Sequence, residues 1–281
     1  MSGTWRRLSP APVARTPETV SVWTGRQMLI FGRAQQKPPM SVDVAAAYNP
    51  ASDTWHRLAP FKGPSGNFQG HYTALWTGTE MLTLGPFDLQ AFDPLTNHWR
   101  RLPAEPAGNE GGGLRVWTGH EMINWGGGCC GDASSIGYAF NPTTNTWRKL
   151  APSPLAPSQN PSGAWTGREL IILVNGIDPD GKPYPASLAR IASYNPTTNT
   201  WRRIAPLPAP RSGATIVWDG REVLVVGGYG TPTKEGKPPP LARIGNCRRP
   251  DRLAASLQAA DARVWRMPGR TILGVDERWT V

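Results

Sequence analysis

The sequence predicts an all-β protein made of repeated four-stranded antiparallel sheets, and three recurring phrases predict it. One phrase is a tryptophan followed by basic residues, at 4–8, 54–58, 98–102, 146–150 and 200–204. Another is a tryptophan followed by Thr-Gly or Asp-Gly, at 22–29, 75–82, 116–123, 164–171 and 217–224. The third is an aromatic residue before Asn-Pro or Asp-Pro, at 47–50, 91–94, 139–142 and 193–196. Because this aromatic always precedes the tryptophan of the first phrase by seven residues, the phrases form one repeating unit.

Each unit is interpreted as four strands, which we name a to d. In the first unit, strand a covers about 19–23 and strand b covers 27–31, and a Thr-Gly turn joins them because glycine supplies the positive φ of a tight hairpin. Strand c ends at Tyr48, Asn-Pro opens a second turn, and strand d carries Trp55. A proline after strand d ends the ladder of backbone hydrogen bonds. Four short antiparallel strands every 44 to 54 residues are the unit of a β-propeller blade.

With these features the chain resembles the kelch-repeat family, which includes the galactose oxidase propeller. The resemblance rests on glycines after strand b, the aromatic of strand c and a tryptophan six residues after the Asn or Asp. The Gly-Gly doublet stands at Gly126-Gly127 and Gly227-Gly228 and is reduced in the other units, so the chain is a divergent member. The resemblance implies a propeller over 1–246 but little about activity, since kelch-like propellers include scaffolds, peptide-binding modules, oxidases and sugar-processing enzymes.

The ends of the chain raise the question of ring closure. The phrase at 4–8 has no strands a to c before it, so we predict that it closes the ring as strand d of the last blade. Five repeats are clear, and we predict six blade positions with the last one incomplete. We divide the chain into a kelch-like propeller at 1–246 and a segment at 247–281. That segment is a degenerate last blade, an irregular tail after five blades, or an aberrant end.

Charge and hydropathy exclude several classes of protein. The formal net charge is +10, but no block of five like charges occurs, and the Arg-rich doublets fall on the outermost strands. We therefore do not favour a nucleic-acid partner, although polyanion binding by this rim is a third hypothesis. No apolar run is long enough for a transmembrane helix, and the N-terminus has no apolar signal segment. We expect a soluble, cytoplasmic monomer without a membrane partner.

The sequence shows no pattern of residues typical of a catalytic or metal-binding site. Four histidines show no ligand spacing, and three cysteines cannot make a disulfide framework. We therefore predict no catalytic residues, no metal and no cofactor. The hypothesis of choice is a non-enzymatic binding module for a protein, peptide or glycan. The alternative is a carbohydrate-active or oxidative enzyme with its site at the mouth of the central channel.

The candidate binding residues follow from the variable connections. The b–c connections range from 8 to 20 residues and emerge with the d–a connections on one face, where loop-decorated scaffolds bind ligands. The starts of strands a, where blades converge on the channel, contribute Glu18, His71, Asn160 and Arg211. The b–c loops contribute Arg33, Cys129, Cys130, Asp132, Tyr184 and Tyr229. The alternative for Glu18, His71 and Asn160 is that they cap strand ends and hold channel water.

Overall fold

The structure is a computed structural model of the 281-residue chain. It describes residues 6–13, 18–35, 41–60, 73–85, 89–106, 113–128, 132–175, 185, 187–207, 213–228, 245–248, 265–267 and 270–272.

All regular structure in the described residues is β-strand, and the strands form sheets that follow the sequence repeats one by one. Sheet 1 comprises β1 (Glu18–Trp23), β2 (Met28–Gln35), β3 (Ser41–Asn49) and β4 (Thr54–Arg57). Sheet 2 comprises β5 (Thr73–Trp76), β6 (Met81–Leu84), β7 (Leu89–Asp93) and β8 (His98–Leu102). Sheet 3 comprises β9 (Leu114–Trp117), β10 (Met122–Trp125), β11 (Gly137–Asn141) and β12 (Thr146–Lys149). Sheet 4 comprises β13 (Ser162–Trp165), β14 (Leu170–Leu173), β15 (Ile191–Asn195) and β16 (Thr200–Arg203).

The C-terminal part of the chain forms smaller sheets. Sheet 5 has three strands, β17 (Thr215–Trp218), β18 (Glu222–Val226) and β19 (Gly245–Arg248), and a two-stranded ladder joins β20 (Trp265–Met267) to β21 (Arg270–Ile272). The third strand of sheet 5 crosses the predicted boundary at 246/247, and the division into 1–246 and 247–281 stays a prediction. The prediction of an all-β chain of repeated four-stranded antiparallel sheets is confirmed.

The two turns of each repeat are fixed by side chains as well as by glycine. In the a–b turn of sheet 1, the Thr24 hydroxyl accepts hydrogen bonds from the backbone N–H groups of Arg26 and Gln27, while Gly25 has φ +91°. In the c–d turn, the Asn49 side chain accepts the N–H of Ala51, and the residue before strand d lies in the left-handed region. That residue is Asp53, Asn97, Asn145 or Asn199, with φ between 52° and 54°, which Asn and Asp tolerate better than other side chains.

The chain divides into two compact units. Unit 1 comprises Met1–Gly111, Gly119–Met122 and Ala139–Arg148, and unit 2 comprises Gly112–Thr118, Ile123–Tyr138 and Lys149–Val281. In unit 1 the first strands of sheets 1 and 2 are neighbours, and in unit 2 β13 lies next to both β9 and β17. Within each unit, consecutive sheets therefore approach through their first strands.

Apolar cores lie between consecutive sheets. In unit 1, buried Leu29 and Phe31 of sheet 1 pack with Met81 and Phe92 of sheet 2. In unit 2, Ile171 and Leu173 of sheet 4 pack with Val223 and Val225 of sheet 5. Strand side chains alternate between two faces, so the face of one sheet packs against the opposite face of the next. Burial of these branched side chains is the main stabilising term of each interface.

The strand-d tryptophans complete these interfaces. Each stacks on the strand-c aromatic of its own sheet, with ring centroids 4.9 Å apart for Tyr194–Trp201 and 4.8 Å for Phe92–Trp99. Trp99 also lies 5.6 Å from Phe31 of sheet 1, and Trp201 lies 6.2 Å from Trp125. Trp99 and Trp201 thus lie between consecutive sheets, and their rings are half-buried because strand d is the last strand of each sheet.

The N-terminal segment takes the position of a strand-d end without being a strand. Residues 6–10 have no strand conformation, and residues 1–5 lie outside the described part of the chain. The carbonyl of Ser9 nevertheless accepts the indole N–H of Trp55 at 2.9 Å, just as the carbonyl of Ala59, after strand d of sheet 1, accepts that of Trp99. Closure by a strand at 4–8 is thus not seen in the described residues, but Ser9 stands where such a strand would end.

Candidate functional site

Six of the predicted binding residues lie outside the described residues: His71, Cys129, Cys130, Tyr184, Arg211 and Tyr229. Their placement in the predicted site stays a prediction. The structure describes Glu18 and Arg33 in their strands and Asp132 and Asn160 in loops.

Glu18 and Arg33 come together in the backbone of sheet 1. Glu18 begins β1, and Arg33 lies directly opposite it in the register of β1 with β2. Residues opposite each other in an antiparallel pair have Cβ atoms about 5 Å apart. The start of strand a and the end of strand b thus meet at the same end of the sheet.

Asp132 and Asn160 belong to one group of hydrogen-bonded loops in unit 2. We define the loop cluster as residues 126–128 and 132–136, between β10 and β11, together with residues 154–161, between β12 and β13. Both Asp132 and Asn160 are exposed there, and the Gln159 side chain donates a 2.7 Å hydrogen bond to the backbone carbonyl of Asp132. The b–c connection of this repeat and the d–a connection that follows it therefore lie against each other.

Backbone hydrogen bonds hold the loop cluster in one conformation. The Gly127 N–H donates to Ser158 O, the Ser158 N–H donates to Ser134 O, and the Ser134 N–H donates to Gly127 O, each at 2.9 Å. Three backbone segments are thereby tied in a closed triangle. The Gly126 N–H donates to Ile136 O at 3.0 Å, and Gly113 N–H donates to Gln159 O at 2.8 Å. Such bonds leave little conformational entropy for a ligand to remove on binding.

Glycine is required in the loop cluster because its backbone segments approach closely. Gly126 has φ +76°, and a Cβ there would stand 2.8 Å from the carbonyl oxygen of Ser158. Gly128 has φ +123°, and a Cβ there would collide with the Asp132 carbonyl. The glycines at 126–128 thus follow the end of β10 and let the backbone segments of the loop cluster approach each other.

A second set of loop contacts joins sheets 4 and 5 of unit 2. The Asn175 side chain accepts the N–H of Gly213 at 3.0 Å, and its backbone carbonyl accepts the Arg190 guanidinium at 3.0 Å. The Ser162 hydroxyl accepts the N–H of Ile216 at 2.9 Å. Sequence analysis missed Asn175, Arg190 and Ser162, because their contacts do not recur from repeat to repeat. The available signal was that Asn175 follows strand b of its repeat.

The opposite end of the sheets carries a repeated ion pair. The first arginine of a strand-d doublet binds the glutamate of the a–b turn in sheets 2, 3 and 4, with pairs Arg100–Glu80, Arg148–Glu121 and Arg202–Glu169. The hydrogen bond that the Arg100 guanidinium donates to the Glu80 carboxylate holds the pKa of Arg100 above its ordinary value. In each of these three sheets, the first residue of the basic doublet is thus paired with a glutamate.

A polar group fastens the N-terminal segment to sheet 1 in unit 1. The Asp53 carboxylate accepts hydrogen bonds from the Tyr48 hydroxyl at 2.7 Å, the Ser9 N–H at 3.3 Å and the Arg6 guanidinium at 2.9 Å. The Tyr48 hydrogen bond and the Ser9 N–H hold the pKa of Asp53 below its ordinary value, and the same bond to Asp53 raises the pKa of Tyr48.

Two further features bear on the class of site. Across the residues the structure describes, no three His, Cys, Asp or Glu side chains are grouped to hold a metal ion. In the same described residues there is no helix of the length and hydropathy needed to cross a membrane.

Repeated four-stranded antiparallel sheets that approach each other through their first strands are the architecture of a β-propeller, and comparison with known proteins agrees with this class. A model of the kelch motif matches residues 127–154, which run from the loop cluster through strands β11 and β12. A solved structure titled "Structure of YjhT" is 15% identical, with 86% of this chain and 84% of that chain covered and a TM-score of 0.53. It is one of 285 solved chains that match. A search of curated proteins found no match. The motif match at 127–154 and the likeness in fold support the resemblance to the kelch-repeat family.

Proposed function

We propose that the chain is a non-enzymatic binding module that holds a protein or peptide on its b–c and d–a loop face. Kelch repeats generally mediate protein interactions, and the kelch propeller fold suggests such a module here. The observation that carries the proposal is the loop cluster, whose backbone is fixed by its own hydrogen bonds while the side chains of Asp132, Ile136 and Asn160 are exposed to solvent.

The exposed side chains of the loop cluster have the composition of a small interface. Ile136 is 46% exposed in the same loop as exposed Asp132, and exposed Asn160 lies next to Gln159, which binds the Asp132 carbonyl. An apolar contact flanked by hydrogen-bonding groups is the usual anatomy of a protein interface. The N–H of Ile136 donates to the Ser134 hydroxyl at 3.0 Å, so its backbone is fixed before any partner arrives.

The loop face is favoured over the opposite end of the sheets by the distribution of charge and length. At the a–b and c–d end, turns have nearly constant length, and their arginines and glutamates are paired with each other in sheets 2 to 4. At the b–c and d–a end, connections differ from repeat to repeat, which lets each supply a different side chain to a partner.

A peptide selection tests this proposal. Immobilised chain is screened with a phage-displayed random peptide library, and selected peptides are measured by calorimetry against Ile136→Ser and Asn160→Ala. The matched control is Leu95→Ser, which removes an apolar side chain that is 93% exposed in the c–d turn of sheet 2. We expect at least a tenfold loss of affinity in each loop variant and none in the control. Peptides sensitive only to Leu95→Ser, or ligands found on a glycan array but not among peptides, would overturn the proposal.

A further inference from the structure

Sheet 5 differs from sheets 2 to 4 in having an apolar face that the described residues leave open. It has three strands, whereas sheets 1 to 4 have four. One of its faces packs on sheet 4 through Ile216, Val223 and Val225. The other face carries Val217, Leu224 and Val226, which alternate with those three along β17 and β18.

Comparison between repeats shows that this face is normally covered. The positions equivalent to Leu224 are fully buried in the other repeats, namely Leu29, Leu82, Ile123 and Ile171. The positions equivalent to Val226 are also buried there, namely Phe31, Leu84, Trp125 and Leu173. In sheet 5, Leu224 and Val226 are only half-buried and Val217 is 43% exposed. The sequence thus keeps apolar residues at positions that the described residues leave uncovered, which costs free energy unless something packs on them.

The interface between sheets 4 and 5 shows what such a face binds. There Ile216 of β17 and Val223 and Val225 of β18 pack against the equivalent face of sheet 4. Trp218 of β17 is partly buried beside them. A cover for sheet 5 therefore needs at least a pair of antiparallel strands with apolar side chains and one large aromatic residue.

We infer that the open face of sheet 5 is covered by the chain's own C-terminal segment, residues 249–281. The chain leaves sheet 5 at the end of β19, where the other sheets make their c–d turn, and 33 residues follow. These residues include an antiparallel pair, β20 and β21, in which Trp265 lies opposite Ile272 in the register. The segment thus has the length, the strand pair and the aromatic residue that the cover requires.

Paired substitutions and a truncation test the inference, with thermal unfolding as the readout. Val217→Lys places a charge on the open face, and we expect it to lower the midpoint of the full chain by about 2–4 °C. The same substitution in a chain truncated after Arg248 should cause no shift, because the covering segment is gone. The truncation itself should lower the midpoint and increase binding of an apolar dye severalfold. Leu95→Lys, at an apolar side chain in open solvent, is the matched control and should be neutral in both backgrounds.

Limited trypsin digestion of the full-length wild-type chain keeps the test decisive if the truncated chain does not fold. Arg263, Arg266 and Arg270 offer cleavage sites in the segment, and a packed segment should resist cleavage until the chain unfolds. Rapid loss of the segment with an unchanged unfolding midpoint would overturn the inference. So would a dimer that Val217→Lys dissociates and truncation leaves intact, since a second copy would then be the cover.

Discussion

The indole N–H of Trp201 in sheet 4 donates a 2.9 Å hydrogen bond to the backbone carbonyl of Ala151, fifty residues earlier in the chain. Ala151 directly follows the last residue of the preceding strand-d phrase. The same bond joins Trp55 to Ser9, Trp99 to Ala59 and Trp147 to Pro103. The tryptophan therefore contributes in two ways. Its ring fills the space between sheets, and its N–H donates a hydrogen bond to a backbone carbonyl that follows the strand-d phrase of the preceding repeat and has no strand partner.

Substitutions at Trp201 should separate these two contributions. Trp201→Ala removes both and should lower the free energy of unfolding by about 3 kcal/mol, at the lower end for large aromatics because the ring is half-buried. Trp201→Phe keeps an aromatic ring and loses the hydrogen bond, so about 1–2 kcal/mol is expected. Urea unfolding measures both. Exposed Lys149→Ala is the control and should stay within about 0.5 kcal/mol; losses as small for all three would contradict the role of the ring.

The turn before strand d should require Asn or Asp rather than any polar residue. Asn199 has φ +53°, and its side-chain oxygen accepts the Ala151 N–H at 3.0 Å and the Tyr194 hydroxyl at 2.7 Å. Asn199→Ala should cost about 2–3 kcal/mol, from backbone strain and two lost acceptor contacts. Asn199→Gly removes the strain, and Asn199→Asp keeps the acceptor, so each should cost less than alanine in urea unfolding. Equal losses of stability in all three variants would show that backbone strain and lost acceptor contacts do not contribute separately.

Strands and turns could be predicted from the sequence because they rest on local patterns. Trp-Thr-Gly predicts the a–b hairpin, and the seven-residue interval from Tyr194 to Trp201 predicts that their rings meet across two strands, which they do. The loop cluster could not be predicted in detail. Its bonds join backbone atoms of Gly127, Ser134 and Ser158, and any residue supplies those atoms, so no side-chain pattern marks them. Asp132 and Asn160 lie in the loops where the sequence predicted them, but the Gln159 side chain bonds to a loop backbone, the carbonyl of Asp132, and whether these loops form a binding site stays a prediction.

Acid should weaken the attachment of the N-terminal segment. Since the pKa of Asp53 is lowered in the folded chain, its contribution to stability is present above the unfolded pKa of about 4 and is lost as pH falls through the folded pKa. The unfolding midpoint of wild type should therefore fall more steeply below pH 4 than that of Asp53→Asn, and the two curves should converge. Asp132→Asn, at an exposed loop position, serves as the control. Parallel curves for wild type and Asp53→Asn would show that Asp53 holds no such role.

The repeated arginine–glutamate pairs should contribute little to stability. The Arg100 guanidinium and Glu80 carboxylate approach to 2.8 Å, but both side chains remain in partial contact with solvent. A double-mutant cycle of Arg100→Ala and Glu80→Ala should give a coupling of at most about 1 kcal/mol, decreasing with added salt. A coupling above about 2 kcal/mol that resists 1 M salt would show that the pair is effectively buried.

A methyl side chain in place of the hydrogen of Gly126 should destabilise the loop cluster. Gly126→Ala forces a Cβ onto the Ser158 carbonyl, a backbone atom that cannot turn aside, so the triangle of hydrogen bonds must open. Gly167→Ala is a matched control: Gly167 has φ +89°, close to the +76° of Gly126, but a Cβ there meets nothing within 4 Å. Both variants carry the cost of positive φ, of order 1 kcal/mol, and only the first carries the collision. We expect Gly126→Ala to lower the free energy of unfolding by at least about 1 kcal/mol more than Gly167→Ala.

Hydrogen exchange should also speed up at the amides of Gly127, Ser134 and Ser158 in Gly126→Ala alone. Equal losses in the two variants, with exchange at those three amides unchanged, would show that the close approach at Gly126 does not hold the loops together.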